Sequence, residues 1–153
     1  MPNSNLKQKF SGISRVQLFI TTLVFSLVGI LDTSYLLAEK ILGGTVKCIA
    51  VKGCDTVLQS SYSTLFGFVP ASLAGFIFYI AVFILAFYLW SKGGKVQRGE
   101  NILLVLAVLG LLFSGWFFYV QAVILQAFCT YCLISAFNTV LIFGSIFWLR
   151  FKS

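Results

Sequence analysis

Four long apolar stretches, separated by polar segments, limit what this chain can fold into. They cover residues 16–38, 68–90, 102–126 and 131–149. Each has close to the ~20 residues that a helix needs to cross a hydrocarbon core of about 30 Å. Only 10% of the residues are charged, against roughly a quarter in average soluble proteins. The stretches therefore predict an all-α integral membrane protein, with one domain over residues 1–153 built as a four-transmembrane-helix bundle.

The distribution of basic residues predicts the orientation of this bundle. Eight of the eleven Lys and Arg residues lie in segments that an even number of crossings places on one side: Lys7, Lys9, Arg15, Lys92, Lys95, Arg98, Arg150 and Lys152. The positive-inside rule makes that side cytoplasmic, so both termini and the loop over residues 91–100 are expected there. No nucleic-acid partner is predicted, because the basic residues do not gather on one face. The first stretch is too long for a signal peptide and lacks a small-x-small cleavage site, so we interpret it as a retained helix.

The segment between the first two stretches, residues 39–67, is longer than a connection between neighbouring helices requires. Within it, residues 55–65 place apolar side chains among Ser and Gln at spacings that suit a short helix on the membrane surface. Gly53 precedes this segment, and Gly67 and Pro70 follow it. We therefore predict an outer loop that contains a short surface half-helix.

The four cysteines all fall on the predicted outer side of the membrane. Cys129 and Cys132 form a C-x-x-C at the start of the fourth helix, which places both sulfurs on one face about a turn apart. The partial positive charge of a helix N-terminus stabilises a thiolate, the species that attacks a disulfide or a quinone carbon. The pair is therefore predicted to be redox-active, the alternative being that these cysteines only fill apolar space.

The other two cysteines, Cys48 and Cys54, enclose a loop short enough to be bridged and, at Gly53, flexible enough to open again. The alternative for this pair is a structural clasp. Beside a second pair, it could exchange through mixed disulfides and form a relay. Zinc is the main rival for two cysteine pairs, but the tight C-x-x-C spacing occurs once and histidine is absent, so no metal site is predicted.

Asp32 is an acidic residue inside the first apolar stretch. Intramembrane acids are functional candidates by default. The alternative is that Asp32 lies near the outer interface, where it is solvated or pairs with Lys40. A small multidrug or cation transporter that uses Asp32 is the competing function, and a tetraspan scaffold with a disulfide-bonded outer loop is another. Neither of these functions needs a C-x-x-C at a helix start.

Several motifs along the chain form one specific pattern. They are Gly29–Leu31, Ser34–Leu36, Cys48, the element Cys54-Asp55-Thr56-Val57-Leu58-Gln59-Ser60, Phe66-Gly67, Pro70 and Cys129-Thr130-Tyr131-Cys132. The pattern resembles the vitamin K epoxide reductase family in its compact prokaryotic form. The resemblance implies a four-helix bundle around a quinone of the ubiquinone, menaquinone or phylloquinone type.

The resemblance also implies a role for each cysteine. Cys54 would exchange with an outer thioredoxin-fold partner, Cys48 would attack next toward Cys129, and Cys132 would face the quinone. Ser60 would belong to the half-helix that caps the site and would help to bind the quinone. The chain ends four residues after its last apolar stretch, so the partner is expected to be a separate protein.

The resemblance departs from the animal members at one position. Ala136 stands where those members carry a tyrosine, so a respiratory or photosynthetic quinone is expected rather than vitamin K epoxide. The predicted function is that of a membrane thiol:quinone oxidoreductase that reoxidises its partner to support disulfide bond formation. We expect it in a bacterial plasma membrane, with its redox cysteines facing outward.

Overall fold

The computed structural model describes residues 4–44, 53–94 and 96–152, with side chains from Arg15 to Phe151. In this part of the chain the helices are α1 (Ser4–Leu42), α2 (Cys54–Gln59), α3 (Ala71–Ser91), α4 (Gln97–Tyr119) and α5 (Thr130–Lys152). The segments long and apolar enough to cross a membrane are Arg15–Leu42, Ala71–Ser91, Gln97–Leu125 and Thr130–Phe151. The predicted bundle of four transmembrane helices is confirmed.

The four long helices form a closed ring in cross-section. Helix α1 packs against α3 and α5, and α4 packs against the same two helices. The core at the end away from the cysteines is built from buried apolar side chains such as Phe19, Val82 and Ile142. In contrast, large apolar residues such as Leu112 and Phe137 are about two-thirds exposed, at 66% and 65%. Such outward apolar surface matches lipid rather than water, and the chain is a multi-pass membrane protein.

The outer segment is less helical than predicted. Helix α2 ends at Gln59, and a 3₁₀ turn over Ser61–Ser63 replaces the rest of the predicted half-helix. The cause is the serine-rich sequence, because serine hydroxyls compete for helix carbonyls. Ser60 Oγ donates to the carbonyl of Val57 at 2.7 Å, and Ser63 Oγ donates to that of Leu58 at 2.6 Å.

The second span starts three residues later than its apolar pattern. Strands β1 (Thr64–Leu65) and β2 (Val69–Pro70) pair in an antiparallel hairpin before α3 begins. Phe66 and Gly67, at the turn, both have positive φ angles of 55° and 81°. Three residues, 66–68, connect the strands, and the backbone N–H of Phe68 donates to the carbonyl of Leu65 at 3.3 Å. Because Val69 and Pro70 pair with β1, they cannot also start the helix.

The third span starts earlier than predicted, because α4 begins at Gln97 rather than at residue 102. Glu100, in its first turn, is buried and pairs with Arg15 of α1. Hydropathy alone assigns Glu100 to a polar loop, but its ion pair with Arg15 allows it to be buried in the first turn of α4. Gly93 and Gly94 adopt left-handed conformations with φ angles of 76° and 67°, and they end α3 in a tight connection.

Candidate functional site

Three of the four cysteines meet at one end of the bundle. Cys54 and Cys129 are 1% and 0% exposed and belong to one apolar cluster, which also contains Leu36. Cys132 packs against this cluster. Cys54 is disulfide-bonded, whereas Cys129 and Cys132 are free thiols. Cys48 lies outside the described residues.

The turn that leads into the C-x-x-C is built around Gln121. Helix α4 continues as a π-helical turn over Val120–Leu125, and Gln126 then takes a left-handed conformation with φ 49°. The backbone N–H groups of Gln126 and Ala127 both donate to the main-chain carbonyl of Gln121. The side chain of Gln121 turns to the same segment, because its Oε1 accepts the backbone N–H of Cys129 at 2.9 Å.

The electrostatic setting of Cys129 favours its thiolate. The pKa of the Cys129 thiol is lowered from its ordinary value, chiefly because the Cys132 side chain hydrogen-bonds to it. Burial opposes this change, the backbone N–H groups of Cys132 and Tyr131 reinforce it, and the Asp32 charge opposes it. A thiolate at a helix N-terminus is the nucleophilic form of a redox-active cysteine.

A cavity of about 380 Å³ lies beside Cys132, between α1, α3, α4, α5 and the α2 segment. Its lining is mostly apolar and includes Leu36, Phe78, Phe113 and Phe117. This volume falls within the range of small-molecule sites, which extends from about 300 to 1,000 Å³. Among the cysteines that the structure describes, Cys132 is the one that lines this space, which suits an apolar ligand.

A few polar groups that were not predicted to be site residues converge on this cavity. Ser72 Oγ is buried and has no hydrogen-bond partner among the described residues. Lys40 Nζ donates to the carbonyl of Leu58 at 3.0 Å and to Ser63 Oγ, which attaches the α2 segment to α1 above the cavity. Gln121 also contributes to the lining. In the sequence, these residues are distinguished only by being polar within or next to apolar stretches.

Two residues predicted to be functional do not line the cavity. Ser60 is absent from the lining, and its hydroxyl donates to Val57 instead, so its predicted quinone contact gains no support. Asp32 is also absent from the lining, although one of its carboxylate oxygens is buried without a hydrogen-bond partner in the described part of the chain. Its position one turn before Tyr35, whose ring packs against that of Tyr131, places it on the α5 side of α1. A transporter built on Asp32 therefore gains no support from the cavity.

Gly53 brings the α2 segment against the C-x-x-C segment. A Cβ atom at this position would lie 2.6 Å from the backbone oxygen of Phe128 and 3.0 Å from its nitrogen. Phe128 directly precedes Cys129, and Gly53 directly precedes Cys54. The absence of a side chain at Gly53 therefore allows the two cysteines to share one cluster.

Comparison with known proteins identifies the family of this site. Residues 20–147 match the profile of the vitamin K epoxide reductase family. The chain belongs to this family. The matched range contains all four cysteines, Ser72 and Gln121, so the whole site lies inside the family domain.

A curated relative of this family member is the thiol-disulfide oxidoreductase LTO1 of Arabidopsis thaliana. The two proteins are 34% identical over 113 residues. The alignment covers 70% of this chain and 30% of LTO1, so the chain spans less than a third of that relative.

The close approach at Gly53 gives a testable prediction for this family member. Gly53→Ala places a methyl group against the backbone of Phe128, and backbone cannot rotate away as a side chain can. We expect exchange between Cys54 and Cys129 to slow by roughly tenfold, because a shift of about 1 Å is costly for positioned reactants. The measurement is the rate at which the Cys129 thiolate, in a Cys132→Ser background, displaces Cys48 from a Cys48–Cys54 disulfide and forms a Cys54–Cys129 disulfide, followed by peptide mapping.

Gly115→Ala is the matched control, because a Cβ atom at Gly115 meets nothing within 4 Å. We expect it to leave the exchange rate unchanged. Equal rates for Gly53→Ala and the control would show that close packing at Gly53 does not position the two cysteines.

Proposed function

We propose that this protein is a membrane thiol:quinone oxidoreductase that oxidises the dithiol of a thioredoxin-fold partner and reduces a quinone. The observation that carries the proposal is the position of the C-x-x-C. Cys132 contacts an apolar cavity on one side, and Cys129 shares a buried cluster with Cys54 on the other. This arrangement suits a pair that passes electrons from a loop cysteine to a lipid-soluble acceptor.

The burial of Cys54 favours a different order of the loop cysteines from the one the sequence suggested. A partner protein approaches from outside, but Cys54 is 1% exposed and packs in the same cluster as Cys129. We therefore assign Cys54 to exchange with Cys129 and Cys48 to exchange with the partner. Thiol–disulfide exchange needs direct sulfur contact, and this order uses the contact that the fold provides.

The proposed relay consists of exchanges in which one S–S bond forms as another breaks. A partner thiolate attacks Cys48 in a Cys48–Cys54 disulfide and releases Cys54 as a thiolate. The second partner thiol then displaces Cys48, and the partner leaves as a disulfide. The Cys54 thiolate attacks Cys129 in a Cys129–Cys132 disulfide and releases Cys132. Finally Cys48 attacks Cys54, which restores the loop disulfide and releases Cys129.

The relay leaves Cys129 and Cys132 as a dithiol beside the cavity. Their return to a disulfide releases two electrons and two protons, which a bound quinone accepts as it becomes the quinol. The apolar lining and the unpartnered Ser72 hydroxyl fit such a ligand, since a buried hydroxyl without a partner can donate to a quinone carbonyl oxygen. The Cys132 side chain is the thiol that faces this ligand.

The proposal is tested with purified protein, dithiothreitol as electron donor and a short-chain ubiquinone as acceptor. We expect quinone absorbance to fall in the presence of the protein, and the quinone to raise its thermal unfolding temperature. Ala136→Phe adds a ring inside the cavity, and steric overpacking should weaken quinone binding roughly tenfold or more. The thiols themselves are unchanged in this variant.

Val140→Phe is the matched control, because Val140 lies one turn further along α5 and is about half exposed to the lipid side. It should leave both quinone binding and turnover unchanged. Quinone reduction at the same rate in wild type, Ala136→Phe and a variant with serine at all four cysteines would contradict the proposed function.

A further inference from the structure

Gln121 is the best-buried amide side chain near the redox cysteines, with 1% of its surface exposed. An amide at this depth needs hydrogen-bond partners, since leaving one unpaired costs free energy. The partner of its oxygen is the backbone N–H of Cys129, eight residues further along the chain. That N–H group belongs to the residue that precedes the first turn of α5.

The main chain of Gln121 holds the same segment a second time. Its carbonyl accepts the N–H groups of Gln126 and Ala127, the latter at 3.2 Å, which closes the π-helical turn against the end of α4. A residue in the left-handed conformation, here Gln126, is a common way to end a helix. Both oxygens of Gln121 therefore act on the four residues that connect the π-helical turn to α5.

The same segment receives Gly53 from the opposite side, because the backbone of Phe128 approaches Gly53 closely. The position of Cys129 is thus set by two contacts, one from Gln121 and one from the α2 segment. Gln121 also lines the cavity that Cys132 faces. One side chain therefore adjoins the ligand cavity and the exchanging cysteine.

We propose that Gln121 is a positioning residue for the C-x-x-C: its side-chain oxygen holds the backbone of Cys129 so that the Cys129 sulfur stays within reach of both Cys132 and Cys54. This inference rests on the thiol relay proposed above. Gln121 transfers neither electrons nor protons in it. Its effect is on the geometry of Cys129.

The consequence is chemical as well as structural. The Cys129 thiolate is stabilised by the Cys132 thiol and by the backbone N–H groups of Cys132 and Tyr131. These hydrogen bonds require the Cys129 backbone to stay in place at the helix start. The Asp32 charge on α1 opposes the thiolate, and Cys54 on α2 lies in the same buried cluster as Cys129.

The test is the pH dependence of Cys129 alkylation by iodoacetamide in the reduced full-length protein, measured peptide by peptide. In Gln121→Met the acceptor oxygen is lost while side-chain length is kept. We expect the alkylation midpoint of Cys129 to rise by about one pH unit, so that below both midpoints the rate falls about tenfold. Gln121→Asn retains the amide but withdraws it by one methylene, and it should raise the midpoint in the same direction.

The matched control is Gln126→Met, the same chemical change on an exposed side chain five residues further along the chain. It should leave the midpoint unchanged. A purely structural cap would lower the unfolding temperature in Gln121→Met without moving the midpoint, and that result would overturn the inference. A folded Gln121→Asn variant with a midpoint within roughly 0.3 pH units of wild type would overturn it too.

The alkylation assay needs neither quinone nor partner. A failed shift would therefore remove the role of Gln121 and leave the proposed function standing. If the Gln121 variants show the expected shift but the wild-type protein does not reduce quinone, the proposed function would be rejected instead.

Discussion

Cys132→Ser is expected to lower dithiol-driven quinone reduction by about a thousandfold or more, because it removes the thiol that faces the cavity. The same variant should accumulate a disulfide between Cys54 and Cys129. In this variant the Cys129 thiolate attacks Cys54 in the Cys48–Cys54 disulfide and releases Cys48 as a thiolate, and no Cys132 thiol remains to attack Cys129 and release Cys54 again. Peptide mapping under non-reducing conditions detects this bond without any measurement of turnover.

Cys129→Ser should lose turnover to a similar extent but for a different reason. It retains Cys132 beside the cavity and lacks the cysteine that exchanges with the loop. Bound quinone should therefore give a charge-transfer absorption band with the Cys132 thiolate in Cys129→Ser, and not in Cys132→Ser. The reverse pattern would exchange the roles of the two cysteines, and Ser145→Ala, further along α5, serves as the control.

The second large effect concerns the loop cysteines. In a background with serine at Cys129 and Cys132, we compare Cys54→Ala, which retains Cys48, with Cys48→Ala, which retains Cys54. The probe is a thioredoxin-fold protein whose single cysteine carries a 2-nitro-5-thiobenzoate leaving group. We expect the Cys54→Ala protein to react roughly tenfold faster or more, because Cys54 is 1% exposed and must wait for local opening of the α2 segment.

Release of the coloured thiolate measures each rate directly, and a non-reducing gel shows the covalent complex. The variant with alanine at both loop positions is the blank. Faster reaction through Cys54 would restore the order in which Cys54 meets the partner and Cys48 relays to Cys129. Equal rates would mean that burial of Cys54 does not select the cysteine that meets the partner.

The helices could be predicted from the sequence to within a few residues at most ends, because hydropathy is a local property. Helix α3 ends at Ser91 and the fourth span at Phe151, each close to the end of its apolar stretch. The larger errors arose where polar residues decide the boundary. Glu100 is helical because Arg15 pairs with it, and α2 stops at Gln59 because the following serines bond to its carbonyls.

The sequence by itself determined that the chain crosses the membrane four times and that Cys54 lies at the same end of the bundle as Cys129 and Cys132. Both follow from the lengths of the apolar stretches, since each crossing reverses the side on which the next connection lies. No contact between distant residues is needed for either conclusion.

Only the tertiary structure decided how these cysteines are arranged and what surrounds them. The burial of Cys54 beside Cys129 depends on the approach of Gly53 to Phe128, which are far apart in the chain. The cavity polar groups, Ser72 and Gln121, come from different helices. Their roles depend on which atoms the packed helices leave unpaired or bring within hydrogen-bond distance, and that is a property of the assembled bundle rather than of any one segment.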